Sequence, residues 1–376
     1  MKNSKDIIKI TEPILPCLDD LNKYLKTIWD SKQLTNHGIF HNQLEEVIKE
    51  YLSVANVSIF NNGTIALLTA LKALSLPKDS EVITTPFTFP ATPHVISSNG
   101  LKPIFCDIDC KTMCIDVNKI EDLITEKTSA ILGVHVYGYP CDVEKINKIA
   151  KKHNLKVIYD SAHAFGTKID GIPIGSFGDI SMFSFHATKL FNTIEGGCLT
   201  YNDNTLKEKI YLLRNFGIKN EEEVVEVGIN GKMNEIQAAI GLLNIKEVPL
   251  EASKRKNIFN LYTKLLGNVA GISLMSLPDN CTNSSQYFVI RIYEDFGASR
   301  DQIYEELLKN GVVSRKYFYP LCSDYPHYKG DPRCGNTVIP IATRVVNEVL
   351  CLPFHGNMTV ENVTKISNII ISSRNS

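Results

Sequence analysis

The chain has 376 residues, of which 44% are hydrophobic and 22% are charged, and its formal net charge is -1. A chain of this length is expected to form two domains, and its balanced charge gives no attraction to nucleic acid or to an anionic membrane surface. No apolar run approaches the roughly 18 residues of a membrane helix, and the N-terminal MKNSKDIIKITEPILPC lacks the unbroken apolar segment of a secretion signal. We therefore expect a cytoplasmic protein.

The ten cysteines are scattered along the chain. Cys106, Cys110 and Cys114 follow one another at a spacing of four, which is one arrangement that metal ligands adopt. No CxxC pair or paired histidines accompany them, and Cys106 lies in the apolar run PIFCDI. We therefore expect buried, reduced thiols and no metal site.

From about residue 40 to residue 245, short β-branched or apolar runs alternate with helical patterns, such as 64–74 and 142–153. This alternation predicts right-handed βαβ units and a mainly parallel sheet of seven strands, covered on both faces. We assign residues 1–248 to this large domain, with an N-terminal arm. The predicted strands are VSIF (57–60), EVITT (81–85), KPIFCDI (102–108), SAILGVHV (129–136), KVIYD (156–160), ISMFSF (180–185) and GCLTY (197–201).

The remaining chain, 249–376, is predicted to form a smaller α+β domain. We expect one helix to end at Pro249, because proline lacks an amide hydrogen, and a second helix to cover 252–266. A strand at FVIRIY (288–293) and helices at 300–311 and 360–373 follow.

Ligands of an open parallel sheet bind beyond the carboxyl ends of its strands. After the first predicted strand comes NNGT, which leads directly into a helix. Gly63 allows a close backbone approach, and Thr64 offers a hydroxyl and an amide at the helix N-terminus. These features suit a phosphate, although an ordinary helix cap is the alternative.

Two further strand ends carry ionisable side chains. Asp160 ends KVIYD and His163 follows it, and each of them alone could be a cap or a buried structural residue. Lys189 lies four residues beyond ISMFSF, and Ser184 is in the same short segment. An anion-binding turn, an acid and an amine thus meet at one sheet edge, a combination that predicts a pyridoxal phosphate site.

These segments resemble the DegT/DnrJ/EryC1/StrS family of pyridoxal-phosphate-dependent nucleotide-sugar aminotransferases, which have the fold-type I architecture. The resemblance covers almost the whole chain and implies the same cofactor, fold and activity here. It is carried by NNGTIALLTAL (61–71), TTPFTFPAT (84–92), DIDCKTMCID (107–116), VHVYGYPCDV (134–143), IYDSAHAFG (158–166), SFGDISMFSFHATK (176–189), EGG (195–197), GINGKMNEIQAA (228–239) and LPFH (352–355).

The resemblance implies catalytic roles for two residues. Lys189 matches the lysine that binds the cofactor covalently, and Asp160 matches the partner of the pyridine nitrogen. His163 matches the residue beside the phenolic oxygen of the cofactor, and Phe89 matches the aromatic side chain that stacks on the ring.

The resemblance also implies how the cofactor phosphate is held. Gly63, Thr64 and Ser184 match its ligands within one subunit. Asn230 of GINGK matches a residue that reaches the phosphate in the neighbouring subunit, because these enzymes are homodimers with shared active sites. Phe89 and Asn230 could instead be a core residue and a turn residue.

The chain departs from its relatives at two places that concern substrate contacts. Gly231 and Lys232 stand where many relatives have tyrosine and arginine, and Pro320-Leu321-Cys322 stands where many have PLH. Lysine keeps the charge of arginine but loses its planar fork. Arg291, Arg315 and Lys232 are all candidates to bind the carboxylate of an amino donor, and the sequence does not choose between them.

The reaction that the resemblance implies is transamination of a nucleotide-linked keto-sugar with L-glutamate as the amino donor. SFHATKLFNTIEGG (184–197) resembles the matching segment of family members that act on dTDP-4-keto-6-deoxy-D-glucose, which implies amination at C4 to give dTDP-4-amino-4,6-dideoxy-D-glucose for O-antigen or a related glycan. A UDP-linked keto-sugar, or the galacto product, is the alternative. Three other functions are alternatives. A dehydratase of the same family would have histidine in place of Lys189, and a desulfurase would need a mobile catalytic cysteine that the sequence does not reveal. The third alternative is a non-catalytic regulatory protein that binds the cofactor.

Overall fold

The computed structural model describes residues 7–282, 284–331, 334 and 338–375. Its largest element is a seven-stranded sheet, and every strand of it overlaps one of the seven predicted strands. The predicted α/β fold with a seven-stranded sheet is therefore confirmed. The strands are β1 (Asn56–Phe60), β2 (Glu81–Thr84), β3 (Lys102–Phe105), β4 (Thr128–Val134), β5 (Lys156–Asp160), β6 (Ile180–Ser184) and β7 (Gly197–Tyr201).

The order of strands across the sheet is β1-β7-β6-β5-β4-β2-β3. Neighbours from β3 through β6 pair in parallel, and β7 is antiparallel to both β6 and β1. The sheet is thus mainly parallel, as predicted. Val134 of β4 pairs with Asp160 of β5, and Asp160 pairs with Met182 of β6. The carboxyl ends of these three central strands consequently lie side by side.

Helices cover both faces of this sheet and continue into the C-terminal part of the chain. In the part of the chain that the structure describes, no helix combines the length and the apolar character needed to cross a membrane. The helices are α1 (Leu18–Ser31), α2 (Ile39–Leu52), α3 (Gly63–Ala73), α4 (Ala91–Ser98), α5 (Val143–His153), α6 (Thr205–Leu213), α7 (Glu235–Leu266), α8 (Arg300–Lys309), α9 (Pro340–Val345) and α10 (Val360–Ser372).

Helix α7 corrects one prediction. We expected a helix to end at Pro249, but α7 runs through this proline as one element of 32 residues. Packing explains the continuity, because Ile245 is buried in the core beside the large sheet and Ile258 and Tyr262 are buried in the C-terminal core. Burial of both halves offsets the cost of one proline inside the helix. The predicted domain boundary after residue 248 falls inside α7 and stays a prediction.

The C-terminal part contains a three-stranded antiparallel sheet in the order β8-β9-β10, formed by Ile272–Leu274, Phe288–Ile292 and Val349–Leu352. Helices α8 and α10 contribute to its core, in which Ile290, Leu307 and Ile366 are fully buried. The chain before α1 joins this part, since Ile8 forms a parallel bridge with Val312. A smaller α+β unit after the large sheet is confirmed.

Asp107, just after β3, holds the C-terminal part against the large sheet. Its buried carboxylate accepts hydrogen bonds from the amides of Ile341 (3.1 Å) and Ala342 (2.8 Å) at the start of α9, and from Lys119 Nζ (2.8 Å). Burial alone would raise the pKa of Asp107, but Lys119 and the amides hold this pKa below its ordinary value. The carboxylate therefore stays charged and accepts from the first amides of α9, which have no acceptor within the helix.

We expect Asp107→Asn to lower the free energy of unfolding by about 2–4 kcal/mol, because the amide loses the charge and presents only one acceptor oxygen. The loss is measured from the shift of the urea unfolding midpoint at neutral pH. The difference from wild type should shrink as the pH falls below about 4, because the carboxylate takes up a proton first in the unfolded chain and, at lower pH, in the folded protein.

Asp116→Asn is the matched control, because Asp116 is half-buried and caps only the adjacent turn through Asn118. Asparagine is also a good cap, so this variant should change stability by less than about 0.5 kcal/mol. Equal losses in the two variants would contradict the assignment of Asp107 as a link between the two parts.

Candidate active site

A cavity of about 790 Å³ opens at the carboxyl ends of β4, β5 and β6, beside the N-terminus of α3. This volume is typical of sites that enclose a small organic ligand. Seven of the eight predicted site residues line the cavity, and Asn230 does not. The seven are Gly63, Thr64, Phe89, Asp160, His163, Ser184 and Lys189.

One end of the cavity is formed by the first turn of α3. The side chain of Asn62 caps this helix by accepting a hydrogen bond from the amide of Ile65 (2.8 Å). The capping residue is therefore Asn62, and Gly63 and Thr64 are not the cap of this helix, as the alternative interpretation had them. Their own amides lie in the first turn, where the helix offers no acceptor, and they carry the positive end of the helix dipole. This end of the cavity can bind an anion.

Glycines allow this helix end to lie directly against the sheet. A Cβ atom on Gly63 would lie 3.0 Å from Cβ of Ser184, and one on Gly197 would lie 2.8 Å from the backbone of Gly63. Gly197 pairs with Ser184 in the sheet, so the three residues form one contact. The hydroxyl of Ser184 is thereby held beside the free amides of the helix.

Asp160 lies at the carboxyl end of β5, in the floor of the cavity. Its carboxylate accepts hydrogen bonds from the hydroxyl of Thr92 (2.8 Å) and from the amide of Ala162 (3.1 Å). Burial raises the pKa of Asp160, and the two hydrogen bonds and the nearby Lys189 oppose this effect without cancelling it. A further cationic group beside this carboxylate would stabilise its charged form.

Lys189 lies in the turn after β6 and faces the same cavity. Burial lowers the pKa of its amine to about 8, and the opposite charge of Asp160 works against this shift. The amine lies 6.0 Å from the centroid of the Tyr287 ring. A substantial fraction of the amine is consequently neutral near physiological pH, as a nucleophile or a general base requires.

The backbone on each side of Lys189 is held by Gln286. The side-chain oxygen of Gln286 accepts from the amide of Leu190 (2.8 Å), and its NH₂ group donates to the carbonyl of Thr188 (3.0 Å). Gln286 is buried and precedes β9, far from Lys189 in the sequence. The sequence offered no signal for this contact, because no local spacing relates the two segments.

His163 is enclosed by aromatic rings. It stacks on Phe318 with ring centroids 5.8 Å apart and planes at 1°, and its ring meets the edge of Tyr287 at 4.9 Å. Burial lowers the pKa of His163 well below its ordinary value, and the nearby Lys189 lowers it further. Its Nδ1 accepts from the amide of Tyr137 (3.2 Å), so the neutral ring carries its hydrogen on Nε2.

The last two predicted residues lie at the surface. Phe89 lines the cavity with 54% of its surface exposed, so it is not a core residue, and its role beside the cofactor ring stays a prediction. Asn230 is exposed and does not line the cavity of its own chain, although its carbonyl accepts from the side chain of Asn61 (3.3 Å), which precedes the cavity-lining Asn62. The expectation that Asn230 acts in a neighbouring subunit stays a prediction.

The three candidate donor-carboxylate ligands occupy different surroundings. Arg291 is buried, is paired with Glu348 and donates to the carbonyl of Cys110 (2.8 Å). Lys232 is hydrogen-bonded to the side chain of Asn215. Only Arg315 of the three lines the cavity.

The residues present fit pyridoxal phosphate. The cavity offers an anion site at the N-terminus of α3, a buried amine at Lys189 and a buried carboxylate at Asp160 whose pKa is raised by burial. Phosphate, aldehyde and pyridinium nitrogen are the matching groups of this cofactor. Thr92, which supports Asp160, lies within the quoted motif TTPFTFPAT, but only the folded chain reveals its contact.

Comparisons with known proteins agree with this arrangement. The model of the DegT/DnrJ/EryC1/StrS aminotransferase family matches residues 18–371. The chain is 47% identical to the dTDP-4-amino-4,6-dideoxy-D-glucose transaminase of Escherichia coli, over 97% of this chain and 98% of that protein. It is 43% identical to the transaminase of the same name from Shigella dysenteriae, over 96% and 98%.

Among solved structures, DesI in the presence of its TDP-sugar product matches with a TM-score of 0.93 and 31% identity, over 98% of this chain and 93% of that one. The fold, the cofactor cavity and the near full-length similarity agree with one another. The chain therefore belongs to the DegT/DnrJ/EryC1/StrS aminotransferase family and is a pyridoxal-phosphate-dependent aminotransferase.

Proposed function

We propose that this enzyme transfers an amino group from L-glutamate to C4 of dTDP-4-keto-6-deoxy-D-glucose, giving dTDP-4-amino-4,6-dideoxy-D-glucose for a surface glycan such as an O-antigen. The observation that carries this proposal is the cavity that brings together Lys189, Asp160 and the N-terminus of α3. The names of the E. coli and S. dysenteriae relatives support the choice of sugar and nucleotide.

We assign the covalent attachment of the cofactor to Lys189 and the stabilisation of its ring nitrogen to Asp160. The depressed pKa of the amine, about 8, supports the first role, because only the neutral amine attacks an aldehyde. The raised pKa of Asp160 supports the second role, because a protonated ring nitrogen supplies the cation that this buried carboxylate lacks.

Four other residues would hold the remainder of the cofactor. Gly63 and Thr64 would bind its phosphate through their free amides, together with the hydroxyl of Ser184, which the glycine contact holds beside them. Phe89 would cover one ring face.

His163 would lie beside the phenolic oxygen of the cofactor. Because its Nδ1 is occupied by the amide of Tyr137, the Nε2–H group is the donor available to this oxygen.

When bound, the cofactor supplies an aldehyde that accepts the amino group and a ring that withdraws electrons from the carbon that loses its proton. Lys189 then acts as the general base that removes the proton from the α-carbon of the donor. The same amine works in reverse for the sugar, delivering a proton to C4. Gln286 holds the backbone of this turn, so we expect the side chain of Lys189, and not the turn, to move during the two proton transfers.

We further propose a homodimer with shared active sites, in which Asn230 reaches the phosphate of the partner. Asn230 is exposed and is joined to Asn215 by a β-bridge in an irregular hairpin. The same hairpin exposes Phe216, Val224 and Val227, which is unusual for a surface that faces only water. These apolar side chains support a subunit contact there.

The cytoplasm is the proposed compartment. Cys106 and Cys114 are buried free thiols, as predicted, whereas Cys110 is a free thiol that is only half-buried. Reduced cysteines suit a reducing environment.

Lys189→Ala should abolish covalent retention of pyridoxal phosphate, seen as loss of borohydride trapping, and should abolish transamination. In the wild-type apoprotein, cofactor uptake should speed up as the pH rises through about 8 and then level off, because only the neutral amine reacts. Stopped-flow absorbance measures this rate.

Asp160→Asn tests the electrostatics of the same pair. Removing the carboxylate should move the midpoint of cofactor uptake to lower pH, because Asp160 raises the pKa of Lys189. Transamination should also fall by about 100-fold or more, since the ring nitrogen loses its charged partner. A midpoint displaced to higher pH would contradict this electrostatic assignment.

The substrate proposal is tested by turnover of dTDP-4-keto-6-deoxy-D-glucose with L-glutamate, followed by NMR of the product. We expect release of 2-oxoglutarate and an equatorial amine at C4. An axial amine would show the galacto product, and preference for the UDP-linked keto-sugar would reject the proposed nucleotide. Failure of every amino acid to bleach the holoenzyme would favour the non-catalytic alternative.

The shared site is tested by mixing two inactive proteins, Lys189→Ala and Asn230→Ala. A hybrid dimer has one site in which both residues are intact, so random exchange should restore about one site in four. Steady-state turnover measures the recovery. No recovery despite subunit exchange, verified by mass spectrometry, would assign Asn230 to the site of its own chain.

A further inference from the structure

Among the described residues that line the cavity, Arg315 stands apart from the other basic side chains. His163 is buried and its pKa is lowered well below the ordinary value, so it is neutral. His186 is hydrogen-bonded to Thr188 (2.8 Å) and lies 3.6 Å from the carboxylate of Glu195. Lys189 is committed to the cofactor. A negatively charged substrate that enters this cavity therefore meets one permanent cation of the same chain, Arg315.

The backbone of Arg315 is fixed, and its side chain is exposed. Its amide donates to the carbonyl of Cys351 (3.0 Å), and its own carbonyl accepts from the amide of Cys351 (2.9 Å). Its guanidinium lies 6.0 Å from the centroid of the Tyr317 ring. No acidic side chain of the described chain forms an ion pair with it within 4.0 Å. A guanidinium on a fixed backbone, beside a ring and without a carboxylate, is suited to bind an anionic ligand.

Aromatic contacts connect this guanidinium to the reacting end of the cavity. The ring of Tyr317 meets that of Tyr287 at 5.7 Å, and Tyr287 in turn lies 6.0 Å from the amine of Lys189. The next residue, Phe318, stacks on His163. Arg315 thus lines the same cavity as Lys189, and a series of aromatic contacts connects the two residues.

We propose that Arg315 binds a carboxylate of the amino donor. The inference rests on the proposed function and assigns to this site the donor-binding residue that the sequence left open. An amino acid carries its α-carboxylate on the carbon that reacts, so it needs a cation on the wall beside Lys189. The diphosphate of a nucleotide sugar is separated from C4 by the sugar ring, so it lies farther from its reacting carbon than the α-carboxylate of an amino acid does. The planar fork of arginine matches a carboxylate in two hydrogen bonds.

The two half-reactions test this proposal separately. Arg315→Met should lower kcat/KM for the glutamate half-reaction by about 100-fold, since a bidentate charged contact is lost, and should leave the half-reaction with the keto-sugar within about threefold of wild type. Bleaching of the holoenzyme measures the first half-reaction, and amino-sugar formation by the amine form of the cofactor measures the second. Arg315→Lys should recover part of the loss, because it keeps the charge without the fork.

Donors that lack one carboxylate identify which group Arg315 holds. If the α-carboxylate is bound, the variant should lose about as much with L-alanine as with glutamate and should lose little with 4-aminobutyrate, which has no α-carboxylate. If the side-chain carboxylate is bound, the variant should lose little with L-alanine and should lose about as much with 4-aminobutyrate as with glutamate. Both patterns support the proposal.

Lys316→Met is the matched control, since the neighbouring lysine is paired with Asp301 (2.6 Å) and does not line the cavity. It should leave both half-reactions within about twofold of wild type. A loss confined to the keto-sugar half-reaction in Arg315→Met would instead assign Arg315 to the phosphates. Equal losses in both half-reactions, or none in either, would also overturn the proposal.

Binding of glutarate gives a measurement that needs no turnover. This dicarboxylate has no amino group to react, so its Kd, determined by calorimetry on the holoenzyme, reports the anion contact even where no transamination occurs. We expect Kd to rise by about tenfold or more in Arg315→Met and to stay unchanged in Lys316→Met. Failure of the proposed function would appear as absent bleaching in wild type, whereas an unchanged Kd in Arg315→Met would overturn the role of Arg315.

Discussion

The buried pair formed by Lys189 and Asp160 is the constraint on which the rest of the site depends. Each group is charged in water, and each loses hydration in the cavity, so burial raises the pKa of the acid and lowers that of the amine. Their mutual attraction offsets only part of this cost. Thr92 and the amide of Ala162 stabilise the carboxylate, but part of the desolvation cost is not offset. A cationic ring is therefore favourable beside Asp160, and Lys189 can act as a base. Both groups lose hydration because β5 and β6 end side by side in the parallel sheet, and this desolvation underlies the chemistry of the site.

Neither part of the chain builds this site alone. The large sheet and α3 supply the amine, the acid and the anion-binding turn, which are the groups that a cofactor requires. The C-terminal part supplies Tyr287, Arg315 and the rings of Tyr317 and Phe318, which form the opposite wall. This division separates the cofactor groups from the residues that we propose to contact the substrate. The groups that fit the cofactor lie at the end of the large sheet, and the proposed donor-binding Arg315 lies on the C-terminal part.

The sequence predicted the features that local rules control. All seven strands of the large sheet were found because β-branched and apolar runs alternate with helical periodicity, and the residues at the strand ends followed from the geometry of parallel sheets. The prediction failed at Pro249, where a local rule about proline was outweighed by packing on both halves of α7. Gln286 and Thr92 were missed because their partners are distant in sequence. The choice among Arg291, Lys232 and Arg315 required the fold, since it depends on which cations already have a partner and which one faces the cavity.

The contact of Gln286 with the backbone around Lys189 also has a consequence for how the enzyme matures. Gln286 is synthesised almost a hundred residues after Lys189, and it reaches the turn only when the segment before β9 has docked. During translation the reactive amine therefore emerges on a turn that is not yet held on either side. The nascent chain therefore gains this hold on the backbone around Lys189 only after residue 286 has been made and the segment before β9 has docked.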